Sequence, residues 1–287
     1  MAHPAAAMLE QISQAYKNNQ IMLPELPEVA MRIRQAIRND DVNLQQVSKL
    51  IQMDPAITAR LIQIANSPLH RGNSPIEDCR AAISRLGLTA TQEIVTCLAM
   101  QNLFSGANQR IQQQVRDIWI HSCRVAAFSY VLARVTPGLN EDKAMLAGLI
   151  HDIGVLPILY YAAEYPQLLN EPAMLQAIIT KMRGVLGKAI LTKWKFEKML
   201  ISIPENAENW FRQHEGSLDY SDIVILGQRH SYFGETTAVK NLPPLGEIPA
   251  FQHHALYKLG PDASLELIDE ATQEIASIVR MLNGASV

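Results

Sequence analysis

Apolar residues recur at intervals of three and four along almost the whole chain, which is the spacing of one face of an α-helix. Val29, Ile33 and Ile37 show this spacing after a turn at Pro24 and Pro27. Later stripes repeat it as far as the C-terminal region, and no two alternating segments are joined by a hairpin-type turn. The pattern therefore predicts an all-α fold.

Local signals indicate where individual helices begin and end. Asp54 in front of Pro55 is typical of a helix N-cap followed by a proline in the first turn. Ser74 in front of Pro75 repeats this combination, and Gly87 is placed to end the helix that follows. We therefore predict one helix starting at Asp54 and another at Ser74.

Two stretches are apolar on more than one face. For Thr89 to Phe104 we predict a buried helix, with a strand as the alternative. Ala144 to Ala163 approaches membrane-spanning length but carries His151 and Asp152 at its centre. We interpret this second stretch as a core helix broken by a polar site, and not as a membrane span.

Loop signals divide the helical pattern into three parts. The joint at Gly106 to Asn108 separates an N-terminal helical subdomain, residues 1–108, from a second helical core, residues 109–235. Residues 236–287 then form a proline-containing loop and a closing amphipathic helix. The apolar stripe of that last helix weakly favours a dimerisation or docking role.

The composition and charge of the chain indicate which kinds of binding partner to expect. With 287 residues and 48% apolar content, the chain is long and apolar enough to bury a core. The net charge of −3 and the lack of a dense Lys/Arg block argue against a nucleic-acid partner. The N-terminus lacks the basic start and apolar core of a signal peptide, so we expect a cytoplasmic protein with no membrane partner.

The three cysteines stand far apart and form no C-x-x-C motif. This spacing argues against a disulfide framework and against a thiolate zinc site. We expect Cys79, Cys97 and Cys123 to be small buried side chains.

The candidate chemistry lies in the pair His151 and Asp152. Two ionisable side chains inside an apolar run are costly to bury unless something satisfies them. One possibility is a network of hydrogen bonds, and the other is a metal ion with His121 and a later Asp as further ligands. The mixed nitrogen and oxygen set suits zinc, manganese, iron or nickel better than calcium. The residues alone leave both possibilities open.

The remaining histidines show no ligand spacing with a partner carboxylate. Adjacent residues cannot share one helix face, so His253 and His254 are expected to be exposed polar side chains and not ligands.

Several segments, in order and spacing, resemble the HDOD domain, a relative of the HD metal-dependent phosphohydrolases. They are Leu23 to Val29, Asp54-Pro55 leading to Ala65-Asn66-Ser67, Ala82-Ile83 to Leu86-Gly87, Trp119 to Ser122, and Gly148 to Gly154. The similarity spans about residues 21–230. It implies an HD-like helical bundle preceded by an N-terminal helical subdomain.

The resemblance also implies a ligand set. In active HD enzymes, a His, a His-Asp pair and a distant Asp bind a divalent metal that activates water against a phosphate ester. Carried onto this chain, these positions are His121, His151, Asp152 and Asp222, with Asp152 as the catalytic residue if the protein is active. The set would hold one transition-metal ion, or none if the site is degenerate.

The chain also departs from the HD pattern. Positions where further histidines are common fall at Arg183 and at Asn206-Ala207, which argues against a second metal. Val155 replaces a lysine that could clamp a phosphate. Arg183 and Lys188 are the candidate substitutes for this substrate-binding role, but we expect both to face solvent.

These features favour a catalytically degenerate output or scaffold module in bacterial signal transduction. Its expected partner is a signalling protein or a small regulatory ligand, and a homo-oligomer is possible. The alternative is a metal-dependent phosphohydrolase acting on a nucleotide or cyclic dinucleotide. A third hypothesis keeps the metal for structure only.

Overall fold

The structure, a computed structural model, describes residues 4–18, 20–39, 42–70, 72, 74–105, 107–232, 242–259 and 261–284. All regular elements in these ranges are helices, which confirms the all-α prediction. The α-helices are α1 Pro4–Lys17, α2 Glu28–Ile37, α3 Leu44–Ile51, α4 Pro55–Ala65, α5 Cys79–Leu86, α6 Leu88–Met100, α7 Gln112–Arg134, α8 Glu141–Ile150, α9 Val155–Glu164, α10 Pro166–Leu169, α11 Pro172–Lys193, α12 Lys198–Ile201, α13 Ile203–Asn206, α14 Tyr220–Ser231, α15 Pro249–His253, α16 Pro261–Glu270 and α17 Thr272–Asn283. Short 3-10 helices cover Gln101–Phe104, Leu245–Glu247 and Ala255–Leu259.

The predicted helix start at Asp54 is confirmed, with a side-chain cap. The Asp54 carboxylate accepts hydrogen bonds from the backbone N–H groups of Ala56 and Ile57, both at 3.0 Å. These bonds satisfy two N–H groups that have no partner within the helix. Gly87 ends α5 with a φ of 81°, a conformation that glycine adopts without steric cost.

The predicted helix start at Ser74 is wrong. Helix α5 begins at Cys79, capped by Asp78, whose carboxylate accepts a hydrogen bond from Ala81 N–H at 2.8 Å. The reason is a non-local contact, because the Asn66 side chain bonds both the N–H and the carbonyl of Ile76, at 3.0 and 2.7 Å. That pairing holds the preceding segment outside any helix.

The two halves of the chain share one hydrophobic core. Helix α6 of the first half packs against α2 and also against α8 of the second half. The run Thr89 to Phe104 is therefore a buried helix with a 3-10 end, and not a strand. Cys79, Cys97 and Cys123 are buried within this core, as expected.

By length and composition, the stretch Glu141–Glu164 could cross a membrane. However, 89% of an 18-residue apolar segment within it is buried inside the protein. It consists of α8, a turn and α9. The stretch is thus a core segment interrupted at His151 and Asp152, as expected from the sequence.

The C-terminal segment packs back onto the same chain. Where the sequence predicts a loop and one closing helix, the segment contains three α-helices, α15, α16 and α17, and two 3-10 helices; residues 236–241 lie outside the described residues. Ile278 and Leu282 are fully buried, and α17 packs against α7. Arg60 donates to the Met281 and Leu282 carbonyls, and Gln101 donates to the Asn283 carbonyl at 2.9 Å. The apolar stripe of α17 is therefore at least partly covered within the monomer.

Helix α7 lies at the centre of the second half and packs against α8, α14 and α17. Two glycines allow the close approach of its neighbours. A Cβ added to Gly148 would lie 2.7 Å from Ala126 Cα, and one added to Gly227 would lie 2.7 Å from Ser129 Oγ. Since real Cβ atoms do not make such close contacts, α8 and α14 need glycine where they pack against α7.

We predict that Gly148→Ala lowers the free energy of unfolding by about 1–3 kcal/mol, because overpacking forces α7 and α8 apart. Helix propensity alone would raise stability by about 1 kcal/mol, so the sign of the change is informative. Urea denaturation measures it, with Gly246→Ala as the control because nothing lies within 4 Å of its added Cβ. A Gly148→Ala variant as stable as the control would contradict this packing.

Candidate metal site

Three of the predicted ligands meet in one cluster. His121 lies on α7, whereas His151 and Asp152 lie in the turn that joins α8 to α9. One potential ligand atom from each residue lies within 4.8 Å of the others. The two imidazole rings are 5.2 Å apart between centroids. The packing of α7 against α8 creates this cluster.

The hydrogen bonding of His151 orients its ring toward the cluster. Its Nδ1 lies 2.6 Å from the Gly148 carbonyl, and since a carbonyl only accepts, Nδ1 carries a hydrogen. In a neutral ring, Nε2 then presents a lone pair, 3.3 Å from Oδ2 of Asp152. A proton or a metal cation between these two atoms would satisfy both.

The Nε2 atoms of His121 and His151 are both buried without a hydrogen-bond partner. Buried polar atoms seldom stay unpaired, so two such nitrogens beside a carboxylate are the pattern expected of metal ligands. The residues present therefore fit one divalent transition-metal ion with two nitrogens and one carboxylate oxygen.

Arg183 is the fourth member of the cluster, and its predicted position on the surface is wrong. The side chain is buried, and its Nη1 donates to Oδ1 of Asp152 at 3.1 Å. Its other terminal nitrogen forms an ion pair with Glu208. A Cβ on Gly154 would lie 1.9 Å from the Arg183 carbonyl, so this glycine lets α11 reach the turn.

The charge state of Asp152 follows from these contacts. Burial raises the pKa of its carboxyl, but the adjacent His151 ring and the Arg183 guanidinium outweigh burial and hold the pKa below its ordinary value. The carboxylate is therefore ionised at neutral pH. Burial, with a smaller contribution from His151, lowers the pKa of His121 to about 4, so its ring is neutral.

Asp222, the fourth predicted ligand, is not brought to this cluster. It lies in the first turn of α14, where Arg212 donates to its Oδ1 at 2.7 Å and His214 Nε2 lies 2.7 Å from its Oδ2. The end of α14 nearest His121 is Tyr232, whose ring lies 5.4 Å from the imidazole. Ten residues of helix, about 15 Å, separate Asp222 from that end.

Three further positions considered in the sequence are Lys188, Asn206 and Val155. Lys188 is half exposed and forms an ion pair with Glu205 at 2.9 Å. Asn206 donates to the Ser202 carbonyl at 3.0 Å. Val155 is buried at the start of α9 and supplies no charge beside the cluster.

Gln228 is a buried polar side chain near this cluster that the sequence motifs do not indicate. It is fully buried, and neither its side-chain oxygen nor its nitrogen has a hydrogen-bond partner. Gln228 precedes Tyr232 by one helical turn, so both lie on the same face of α14. The available signal was an uncharged amide within the apolar run that starts at Ile223, a pattern the search for charged ligands passed over.

Two other expectations about histidines are wrong. His254 is buried, with Nε2 2.9 Å from the Thr136 hydroxyl, whereas His253 is exposed as expected. His214 has a carboxylate partner, Asp222, although the two are eight residues apart. Both partnerships are created by tertiary packing or an irregular loop, which helical spacing does not reveal.

The sequence of this chain is similar to a known domain family and to a known protein. The sequence model of the HDOD domain matches residues 23–209, well over half of the chain. An uncharacterised protein of Treponema pallidum (strain Nichols) is 26% identical over 209 residues, which cover 67% of this chain. The match spans only 37% of that relative's length.

Solved structures share the fold. A protein from Shewanella amazonensis SB2B, named as a candidate metal-dependent phosphohydrolase, is 29% identical with a TM-score of 0.79, covering 97% of this chain and 99% of its own. An HDOD domain protein of unknown function from Geobacter sulfurreducens is 22% identical with a TM-score of 0.71, covering 96% and 99%.

We predict that acid destabilises the protein through its buried neutral histidines. Burial lowers the pKa of His121 and of His230 to about 4. The unfolded chain takes up these protons below about pH 6.5, so stability is complete above that pH and falls as the pH drops toward 4. Asp142 has the opposite effect, since burial raises its pKa to about 7.

The measurement is urea denaturation of wild type and His230→Gln from pH 7 to pH 4.5. The wild type should lose about 2 kcal/mol more than the variant over this range, whatever their difference at pH 7. Parallel curves would show that His230 does not take up its proton on unfolding.

Proposed function

Since the chain belongs to the HDOD family, we propose that it is a signal-transduction module whose HD-type site no longer turns over a substrate. It relays a regulatory state to a signalling partner in the cytoplasm. The observation that carries this proposal is the ion pair between Arg183 and Asp152.

The guanidinium of Arg183 takes one oxygen of the carboxylate that a metal ion would need. It also brings a permanent positive charge to the site, because arginine does not lose its proton in proteins. Two unit charges about 4 Å apart interact by roughly 4 kcal/mol at the effective dielectric typical of proteins. Arg183 therefore lowers the affinity of the site for a divalent cation and supports a metal-independent role.

Other residues that a phosphohydrolase would use are also held in ion pairs or carry no charge. Asp222 is held by Arg212 and His214, and Val155 supplies no cation for a phosphate. Arg183 and Lys188, the two candidate phosphate contacts, are paired with carboxylates. Phosphoryl transfer depends on positive charge at the transferring group, so these pairings weaken catalysis.

A single-ion phosphohydrolase is the second candidate, supported by the unpaired Nε2 atoms of His121 and His151. These atoms and Oδ2 of Asp152 would hold the ion. When bound, the ion would supply a Lewis acid that lowers the pKa of a coordinated water. The name and 29% identity of the Shewanella amazonensis protein also support this candidate. Its proposed substrate would be a nucleotide or a cyclic dinucleotide.

A hydrolysis assay separates the two candidates. Wild type and Asp152→Ala are incubated with manganese, nickel or zinc and with p-nitrophenyl phosphate, nucleotides or cyclic dinucleotides. We predict that the wild type shows no metal-dependent turnover above the Asp152→Ala background. Turnover that the variant loses while its far-UV circular dichroism stays helical would overturn the proposal in favour of the hydrolase.

A further inference from the structure

A second site lies where α2 meets the C-terminal end of α11, away from the histidine cluster. A cavity of about 220 Å³ opens there, and its lining includes Arg34, Arg38, Lys193 and Lys195. Trp194 forms part of the same lining, with its indole N–H bonded to the Pro24 carbonyl at 3.0 Å. Four cationic side chains thus surround one small cavity.

The ion pairs around the cavity leave two of these cations unmatched. Lys193 pairs with Glu25 at 2.6 Å, and Arg34 pairs with Glu93 at 3.5 Å. Arg38 instead donates to the backbone carbonyl of Lys195. Neither Arg38 nor Lys195 has a carboxylate partner among the residues that the structure describes. Among the described residues, these two side chains therefore add positive charge to the cavity that no ion pair neutralises.

Lys195 has a left-handed backbone conformation that is unusual for a lysine. Trp194 ends α11, and the N–H groups of Lys195 and Phe196 bond the Thr192 and Leu191 carbonyls at 2.9 and 3.0 Å. This is a Schellman motif, whose left-handed position is usually glycine. Lys195 occupies it with a φ of 55°, the only positive φ at a non-glycine residue in the described part of the chain. Strain of this kind often marks a functional position.

The floor of the cavity carries a buried cation with unused hydrogen-bonding capacity. Arg34 is 4% exposed, and its guanidinium lies 3.8 Å from the ring centroid of Phe196. Its Nε is buried without a hydrogen-bond partner. Its pairing with Glu93 is long, which leaves the guanidinium able to donate to a ligand.

We propose that this cavity binds the phosphate group of a small molecule. A phosphate monoester carries close to two negative charges at neutral pH, which matches the charge of Arg38 and Lys195 better than a single carboxylate does. Arginine forks bind phosphate with two parallel hydrogen bonds, and lysine binds it as a point charge. The cavity volume suits a phosphorylated group of small size and not a whole cyclic dinucleotide.

Two distant parts of the chain form this cavity. The segment Leu23 to Val29 and the end of α11 at Trp194 lie about 170 residues apart, and the indole bond to Pro24 joins them. The site requires no metal and no hydrolysis. Phosphate binding at this cavity is therefore independent of the proposed loss of catalysis at the histidine cluster.

The test is isothermal titration of inorganic phosphate, adenosine 5′-monophosphate and succinate onto wild type, Lys195→Gly and Arg38→Gln, at constant ionic strength. Phosphate and the nucleotide should bind the wild type more tightly than succinate does. Each variant should lose about tenfold or more in affinity, the range of one charge-assisted hydrogen bond. Lys181→Gln, at an exposed lysine of the same helix, is the matched control and should bind as the wild type does.

Lys195→Gly also separates function from structure, because glycine relieves the positive φ. Its thermal midpoint should equal or exceed that of the wild type while its phosphate affinity falls. Three outcomes would overturn the proposal: no phosphate binding by the wild type, equal binding by all variants, or preference for succinate. The hydrolysis assay reports on the other site and is unaffected by any of them.

Discussion

The negative charge of Asp152 is the constraint on which the site depends. A carboxylate buried among apolar helices needs a counter-charge, and removing one partner of such a pair typically costs about 3–5 kcal/mol. Arg183 supplies that charge from α11, and Gly154 allows α11 to come close enough. Helices α8, α9 and α11 are thus joined at one point by electrostatics as well as by apolar packing.

The local features of the fold could be predicted because short-range interactions determine them. The cap at Asp54 and the stop at Gly87 depend on residues within one turn. The start at Ser74 was predicted by the same rules and was wrong, because Asn66 binds the backbone of Ile76 from ten residues away. A sequence pattern does not reveal such a competing contact.

The candidate site also contains features that the sequence predicts and long-range contacts that it does not. The cluster of His121, His151 and Asp152 was expected from the resemblance, and the structure brings these residues together. Asp222 was chosen from its order along the chain, but α14 carries it about 15 Å from the end that reaches His121. Arg183 was expected to face solvent, since nothing in its sequence context shows that Asp152 lies beside it.

Helix α11 gives the proposed relay a physical route. It holds Asp152 through Arg183, and eleven residues later, about 16 Å along the helix, it ends at the cavity beside Trp194 and Lys195. A phosphate bound there would draw Arg38 of α2 and the end of α11 together. Such coupling requires two arrangements of the helix that the two sites favour differently.

Plasma mass spectrometry of the purified protein measures whether the cluster of His121, His151 and Asp152 holds a metal ion while Arg183 is in place. Wild type, Arg183→Met and Asp152→Ala are compared after exposure to manganese, nickel and zinc. We expect little metal in the wild type, more in Arg183→Met, where the guanidinium no longer opposes a cation, and little in Asp152→Ala. Near-stoichiometric metal in the wild type that Asp152→Ala loses would contradict this expectation.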